Sequence, residues 1–332
     1  MKPPPSPEPN GADSKPQSPQ VLAAELEPVL RDACDGKLGP IEWFRSPWQQ
    51  GGAATGFSTW TNNDGSITET LVKLPVGSIE HHWTTALSKA RCGHTPKVIA
   101  DGTTLGNYDL AWLILERLRG KTVGKNLSQD CVHALLDATC DMHRVAADIR
   151  PVRDHDKPDP PDWGGLIERA REAVKDNALE HEQRWNEALK KVQKRLKHLV
   201  SDWRARTMHT WCHGDLHPGN ALYRGPRKHE GDVVLIDLAL VHAGHWIEDA
   251  LYLERLYWGH ESMLHGVKPV SMLAKLRKKY GLRLGDDYSH LANIRRLLMA
   301  ACVPAFLGRE GNPVYVEASL GILERLGRDA LR

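Results

Sequence analysis

The chain is 332 residues long, with 41% hydrophobic and 26% charged residues. At about 150 residues per domain it has room for two lobes and a cleft between them, and its balance excludes collagen-like, fully disordered and disulfide-scaffold classes. Lys+Arg and Asp+Glu nearly cancel, 44 against 42, so bulk charge points to neither nucleic acid nor an anionic membrane as partner. The longest apolar runs, such as Leu297 to Val303, fall well short of the roughly 18 residues a membrane span needs.

Residues 1–20 hold seven prolines and almost no apolar side chains. Such a stretch cannot bury enough surface to offset its ordering entropy, so a disordered tail is expected there. With no apolar signal region, the expected address is the cytoplasm. The six cysteines are scattered and none has CxxC spacing, as expected of reduced thiols in a cytoplasmic protein.

A short helical pattern runs from Val21 to Leu30. Gly51, Gly52 and Gly56 fall in a polar loop, and Asn62-Asn63-Asp64-Gly65 signals a turn. Ser66 to Val76 then reads as a strand, so the turn predicts a hairpin with the glycines near its open end. Ser78 starts a helix to about Arg91. Lys97 to Ala100 and Leu110 to Leu115 are two more strands. Residues 21–115 are therefore expected to form a small antiparallel-sheet lobe with one helix after residue 41, and residues 116–332 a larger, mostly helical lobe.

In the second part, Val132, Leu135, Leu136, Met142, Val145, Ala146 and Ile149 form a core-facing stripe at helical spacing over 130–150. Pro158, Pro160 and Pro161 break the chain. A long charged helix follows from about Leu166 to Arg206, interrupted near Asn177. Its residues Trp185, Leu189, Val192, Leu196, Leu199 and Trp203 step by four and three. Under three heptads is short for a dimer zipper, so a helical hairpin or flap is the expected form.

The chemistry concentrates in Trp211-Cys212-His213-Gly214-Asp215-Leu216-His217-Pro218-Gly219-Asn220, followed by Val233-Val234-Leu235-Ile236-Asp237. The first part is a loop and the second a buried strand ending in a carboxylate. Asp215 and Asn220 on one rigid loop can present a base and an amide oxygen to one point, and Asp237 can return there on a hairpin. Two carboxylates and an amide suit a hard, oxygen-loving cation that also holds phosphate, and so suit phosphoryl transfer. His213 and His217 have i, i+4 spacing, but Gly214 and Pro218 argue against a helical zinc pair.

The run HGDLHPGN with downstream IDLA resembles the catalytic and metal loops of the aminoglycoside phosphotransferase and choline kinase-like family, small-molecule relatives of protein kinases. Leu71-Val72-Lys73, Glu80 with Leu87, Ile114-Leu115-Glu116-Arg117-Leu118 with Gly120, and Met142-His143 resemble its other motifs in the right order. The resemblance implies an α+β, bilobal protein-kinase-like fold and an ATP- and magnesium-dependent transfer to a small-molecule hydroxyl. It implies that Asp215 accepts or orients the hydroxyl proton, that His213 braces the loop, and that Asn220 and Asp237 hold magnesium. Lys73 would meet the α/β-phosphates and Glu80 would fix Lys73. Residues 114–118, with Glu116 and Leu118, would offer backbone groups to adenine, and Gly51 and Gly52 would approach the phosphates. Asp249 matches a family aspartate, with a bracing role expected.

Two departures stand out. Ala239 replaces a carboxylate or glycine that many relatives carry, and the glycine loop does not spell GxGxxG. Trp246, Tyr252, Tyr257 and Trp258 cluster after the metal loop; aromatic faces suit a quaternary ammonium or a sugar, though helical spacing favours core. Residues 260–332 carry 12 Lys+Arg against 7 Asp+Glu, which argues against a polycationic aminoglycoside acceptor. The readings that rival catalysis are a silent nucleotide-binding pseudokinase and a metal-dependent hydrolase.

Overall fold

A computed structural model describes residues 19–44, 53–225, 232–285 and 287–329. The proline-rich stretch as far as residue 18, and Gly51 and Gly52, lie outside the described residues. In chain order the elements are α1 (Pro19–Ala33), β1 (Glu42–Phe44), β2 (Ala54–Thr61), β3 (Ile67–Val76), α2 (Ser78–Lys89), β4 (Val98–Gly102), β5 (Ala111–Glu116), α3 (Gln129–Ile149), α4 (Trp163–Asp176), α5 (Glu182–Ala205), β6 (Thr210–Cys212), β7 (Ala221–Tyr223), β8 (Val233–Leu235), β9 (His242–Gly244), α6 (Ile247–Arg255), α7 (Pro269–Lys279), α8 (Tyr288–Cys302), α9 (Leu307–Glu310) and α10 (Pro313–Asp329). The fold class is α+β. The chain divides into a sheet unit, the described residues up to Gly77 with Val98–Arg117, and a helical unit, Ser78–Lys97 with the residues from Leu118 on.

The sheet unit is a five-stranded antiparallel sheet in the order β1-β2-β3-β5-β4. The hairpin forms as the turn signal predicts, with Thr61 paired to Ile67. Period-two alternation along β3 buries Val72 and Leu74 against α1, where Ala23, Leu26 and Leu30 close one core. The β3–β5 register shifts between Lys73 and Val76, and Val76 joins Leu71, Leu113 and Leu115 in a separate cluster. A register slip of this kind moves side chains to the other face. The short strand β1 was not foreseen; Glu27 of α1 fixes its approach by accepting from the Ile41 N–H and the Trp43 Nε1–H, both at 3.0 Å. Gly56 corrects the expected loop. It lies inside β2, opposite Val72 and Trp43, and a Cβ there would run into the Ile41 side chain. It serves close strand approach.

The helical unit takes in α2, which the sequence placed with the sheet. The physical reason is aromatic and apolar: Trp83 packs on Trp211 with ring centroids 4.7 Å apart, and Leu87 joins the same core. The central α3 starts at Ser128, whose Oγ accepts from the Cys131 N–H at 3.3 Å. Its predicted stripe is buried except for Ile149, which ends the helix exposed. Helices α4 and α5 form the hairpin, broken at Asn177. On α5 Trp185, Leu189, Val192, Leu199 and Trp203 are buried in the main core, and Arg184 makes a two-pronged pair with Glu324 of α10 at 2.8 and 2.9 Å. The apolar stripe is thus spent inside the chain, which rules out a zipper or a free flap. All six cysteines are buried and free. Among the described residues no helix is long and apolar enough to cross a membrane.

Candidate active site

Two short ladders build the site. Strand β6 pairs with β9, Cys212 opposite His242, and β7 pairs with β8, Ala221 opposite Leu235. The loops 213–220 and 236–241 therefore leave from neighbouring strands, and the Ile236 N–H donates to the Asn220 carbonyl at 2.9 Å. This convergence brings Asp215, Asn220 and Asp237 onto adjoining loops although the sequence separates them.

His213 fixes the first loop from within. Its ring is fully buried; Nε2 donates to the Ile236 carbonyl at 3.0 Å, and Nδ1 accepts from the Asp215 N–H at 3.3 Å. Burial pushes its pKa down, in keeping with this neutral tautomer. Both ring nitrogens are spent on backbone, so neither is left for a metal, which closes the zinc reading. Gly214 has φ +83°, and a Cβ there would strike the Leu240 carbonyl. Only glycine satisfies both conditions.

Beneath the loop lies a buried carboxylate. Asp249 accepts from the His213 N–H at 2.8 Å, the Gly214 N–H at 2.9 Å and His143 Nε2 at 2.8 Å. Burial pushes its carboxyl up, but these donors outweigh it and the net shift is downward. Arg277, also buried, donates from Nη1 to His143 Nδ1 at 3.4 Å and twice to the Arg283 carbonyl. Burial holds its pKa at about 10, still a cation near neutrality. The row Asp249–His143–Arg277 thus balances one negative and one positive charge across a neutral imidazole, whose own pKa burial lowers. It anchors the 213–220 loop to α3, α6 and α7.

Asp215 is held by three neighbours. His217 Nε2 stands 3.7 Å from Oδ2, the Tyr252 hydroxyl donates to Oδ1, and Asn220 Nδ2 donates to Oδ2 at 2.9 Å. Against burial, they bring its pKa down to about 2. So acidic a group is far too weak to strip a hydroxyl in the ground state; it suits orienting the hydroxyl and taking its proton late. Asn220 Oδ1 has no hydrogen bond among the described residues. The exposed Asp237 carboxylate has no hydrogen bond or ion pair among them either, and its backbone is left-handed at φ 63°. An amide oxygen and a carboxylate oxygen without partners on linked loops fit a hard divalent cation such as magnesium. Ala239 sits in the turn after Asp237 and adds no further carboxylate.

The remaining predicted residues divide between the units. Lys73 lies in β3 between Thr55 and Leu113, on the face opposite Val72 and Leu74. Glu116 ends β5. Glu80 is buried in the first turn of α2, so it does not face solvent, and Leu118 opens the next stretch of the helical unit. Ile114 and Leu115 are flanked on both sides by β3 and β4, so their backbone belongs to the ladder. Glu116 is paired on one side alone, with Thr70, and the Arg117 N–H donates to the Glu69 carbonyl at 3.2 Å, so further backbone groups for a base are confined to residues 116–118.

Sequence reasoning undervalued Tyr252 as a core residue. Its hydroxyl reaches Asp215, while Trp246 and Trp258 are the ones buried. The signal was available: Tyr252 lies three residues after Asp249, on a neighbouring part of the same helical face. Arg277 had no such signal.

A sequence model of the phosphotransferase enzyme family matches residues 56–268. Solved structures of similar fold include a Ralstonia eutropha JMP134 protein assigned as an aminoglycoside phosphotransferase (15% identity, 91% of this chain and 98% of that one, TM-score 0.54). They also include choline kinase from Cryptosporidium parvum Iowa II (10%, 90% and 90%, 0.50) and a spectinomycin phosphotransferase in complex with ADP and spectinomycin (12%, 86% and 88%, 0.50). These likenesses show the protein-kinase-like fold. No curated protein matches the sequence.

Proposed function

The chain belongs to the phosphotransferase enzyme family, and we propose that it moves the γ-phosphoryl group of ATP to a hydroxyl of a small molecule with the help of magnesium. It is a small-molecule phosphotransferase by family; the nucleotide, the metal and the residue roles are this proposal. The observation that carries it is the contrast on the two loops, where Asp215 is oriented by three neighbours while Asn220 Oδ1 and Asp237 keep oxygens without partners. ADP in the spectinomycin phosphotransferase supports a nucleotide for this fold.

In this reading Asp215 accepts a hydrogen bond from the acceptor hydroxyl and receives its proton as the hydroxyl oxygen bonds to the γ-phosphorus. The bond from that phosphorus to the bridging oxygen breaks, and ADP leaves with the bond's electrons. Asn220 and Asp237 hold magnesium, which when bound neutralises charge on the phosphates. Lys73 meets the α/β-phosphates and Glu80 steadies Lys73. Backbone groups of residues 116–118 meet adenine, and His213 keeps the loop in place.

A coupled ADP-release assay over a panel of alcohols tests this. Asp215→Asn should cut turnover by roughly 10²–10⁴ and leave Mg-ATP binding, followed by calorimetry, within about twofold. Retained turnover would contradict the role of Asp215. Magnesium-dependent nucleotide binding with no acceptor turned over would favour the nucleotide-binding pseudokinase.

A further inference from the structure

Helix α6 turns one side to the catalytic loop through Asp249. Glu248, Tyr252 and Arg255, at i, i+4 and i+7, share the adjoining side. They line a cavity of about 200 Å³ whose other walls include Trp163 of α4 and Arg295 of α8. Tyr252 links the cavity wall to the candidate base, since its hydroxyl donates to Asp215.

Arg295 is the informative wall. Its guanidinium lies over the rings of Trp163 and Trp203, 5.0 Å from each centroid, and has no hydrogen bond or ion pair among the described residues. Glu248 is the cavity's one carboxylate, and it is committed elsewhere. Its Oε1 accepts from Arg206 Nε at 3.1 Å and from the His245 N–H at 2.8 Å, and its Oε2 faces His242 at 3.9 Å. Burial, only partly offset by Glu248, pulls the Arg295 pKa down. A guanidinium stays charged in a protein, and one that is half-buried on a cavity wall without a paired anion carries that charge at a cost. Glu248, which acts on Arg295 through space, is shared with Arg206 and His242, so the cavity wall keeps a net positive charge.

Resting on the phosphotransferase reading, we propose that this cavity receives the acceptor and that the acceptor is anionic, a hydroxyl compound whose carboxylate or phosphate group meets Arg295 while its hydroxyl turns to Asp215. The planar guanidinium fork suits a two-pronged bond to either group. A quaternary ammonium or a polyamine has no place here. The Trp163 and Trp203 faces already hold Arg295, and Trp246 and Trp258 are in the core.

Calorimetric titration of the full chain with Mg-ADP present, using glycerate, glycerol 3-phosphate, glycerol and choline, tests the proposal and separates carboxylate from phosphate. At least one anion should bind saturably and roughly tenfold or more tighter than glycerol and choline. Arg295→Gln should weaken it by roughly tenfold to a hundredfold, the share of a charged hydrogen bond, with Mg-ADP affinity unchanged. If Arg295→Gln melts lower than the parent, Arg295→Lys decides, since it keeps the charge and should recover part of the affinity. Binding of neither anion, preference for glycerol or choline, or anion binding indifferent to both substitutions overturns the anionic acceptor. Failure of Mg-ADP itself to bind would instead strike the phosphotransferase reading.

Discussion

The sheet unit and the helical unit bury different chemistry. Among the described residues, the polar side chains buried in the sheet unit are Ser58 and Thr70 alone. Among the same residues the buried carboxylates, imidazoles and guanidinium, on Glu80, His81, Asp141, His143, His213, His245, Asp249 and Arg277, all belong to the helical unit. The sheet unit is held by its ladder and by apolar burial under α1. The helical unit adds a set of buried ions and imidazoles, concentrated under the 213–220 loop. Burying charge costs stability unless each group is matched, so the network marks where the fold needs one geometry and no other.

Removing the centre of that network should have the largest effect. Asp249→Ala leaves the His213 and Gly214 N–H groups and the His143 imidazole without their acceptor, and Arg277 without a balancing charge. A loss of about 3–5 kcal/mol is expected, read from urea unfolding by far-ultraviolet circular dichroism, with turnover lost alongside. A cost under about 1 kcal/mol would erase the distinction between the two units.

The sequence was informative in proportion to how local each feature is. The β2–β3 hairpin and α3 follow from a turn signal and one apolar period. The order of Lys73, Glu80, Asp215, Asn220 and Asp237 carried the family. Features set by tertiary packing were not legible. Strand β1 depends on Glu27 of α1 reaching Trp43, and Gly56 is fixed by the nearness of Ile41. The membership of α2 in the helical unit depends on Trp83 meeting Trp211. Arg277 and Arg295 look like two more surface cations in a basic C-terminal stretch, and only the fold shows one under His143 and the other between two indoles.

Acidification probes the same contrast through the histidines. Burial holds the folded pKa of His245 at about 3, below the ordinary 6.5, and also lowers His143 and His213. Below pH 6.5 the unfolded chain takes up protons that the folded chain refuses. Stability is therefore full above that value and falls as pH drops toward about 3, where folded His245 begins to titrate. Each such histidine contributes a slope of up to about 1.4 kcal/mol per pH unit. Between pH 6.5 and 5 the loss belongs to imidazoles, since the depressed carboxylates Asp215 and Glu248, both at about 2, act only below their unfolded values. Urea unfolding at pH 7.5, 6 and 5 should show the decline, and His245→Phe should flatten it. A stability level across that range would mean the imidazoles are not held neutral.

The smallest effect should appear in the sheet and with the opposite sign. Thr70 is fully buried in β3, between Ser58 and Glu116 in the register. Its Oγ1 has no hydrogen-bond partner among the described residues, whereas the Ser58 hydroxyl donates to the Gly39 carbonyl at 3.0 Å. An orphaned buried hydroxyl forfeits its hydration for nothing, at about 1–3 kcal/mol. Thr70→Val keeps the branched shape and the strand preference while deleting that hydroxyl. The variant should match the parent or gain up to about 1 kcal/mol, measured as a rise in the urea midpoint with an unchanged slope. Substituting a buried polar residue would then be harmless in one unit and ruinous in the other, because Thr70 holds nothing in place whereas Asp249 holds three donors. A clear loss from Thr70→Val would show that the sheet, too, depends on polar groups in its interior.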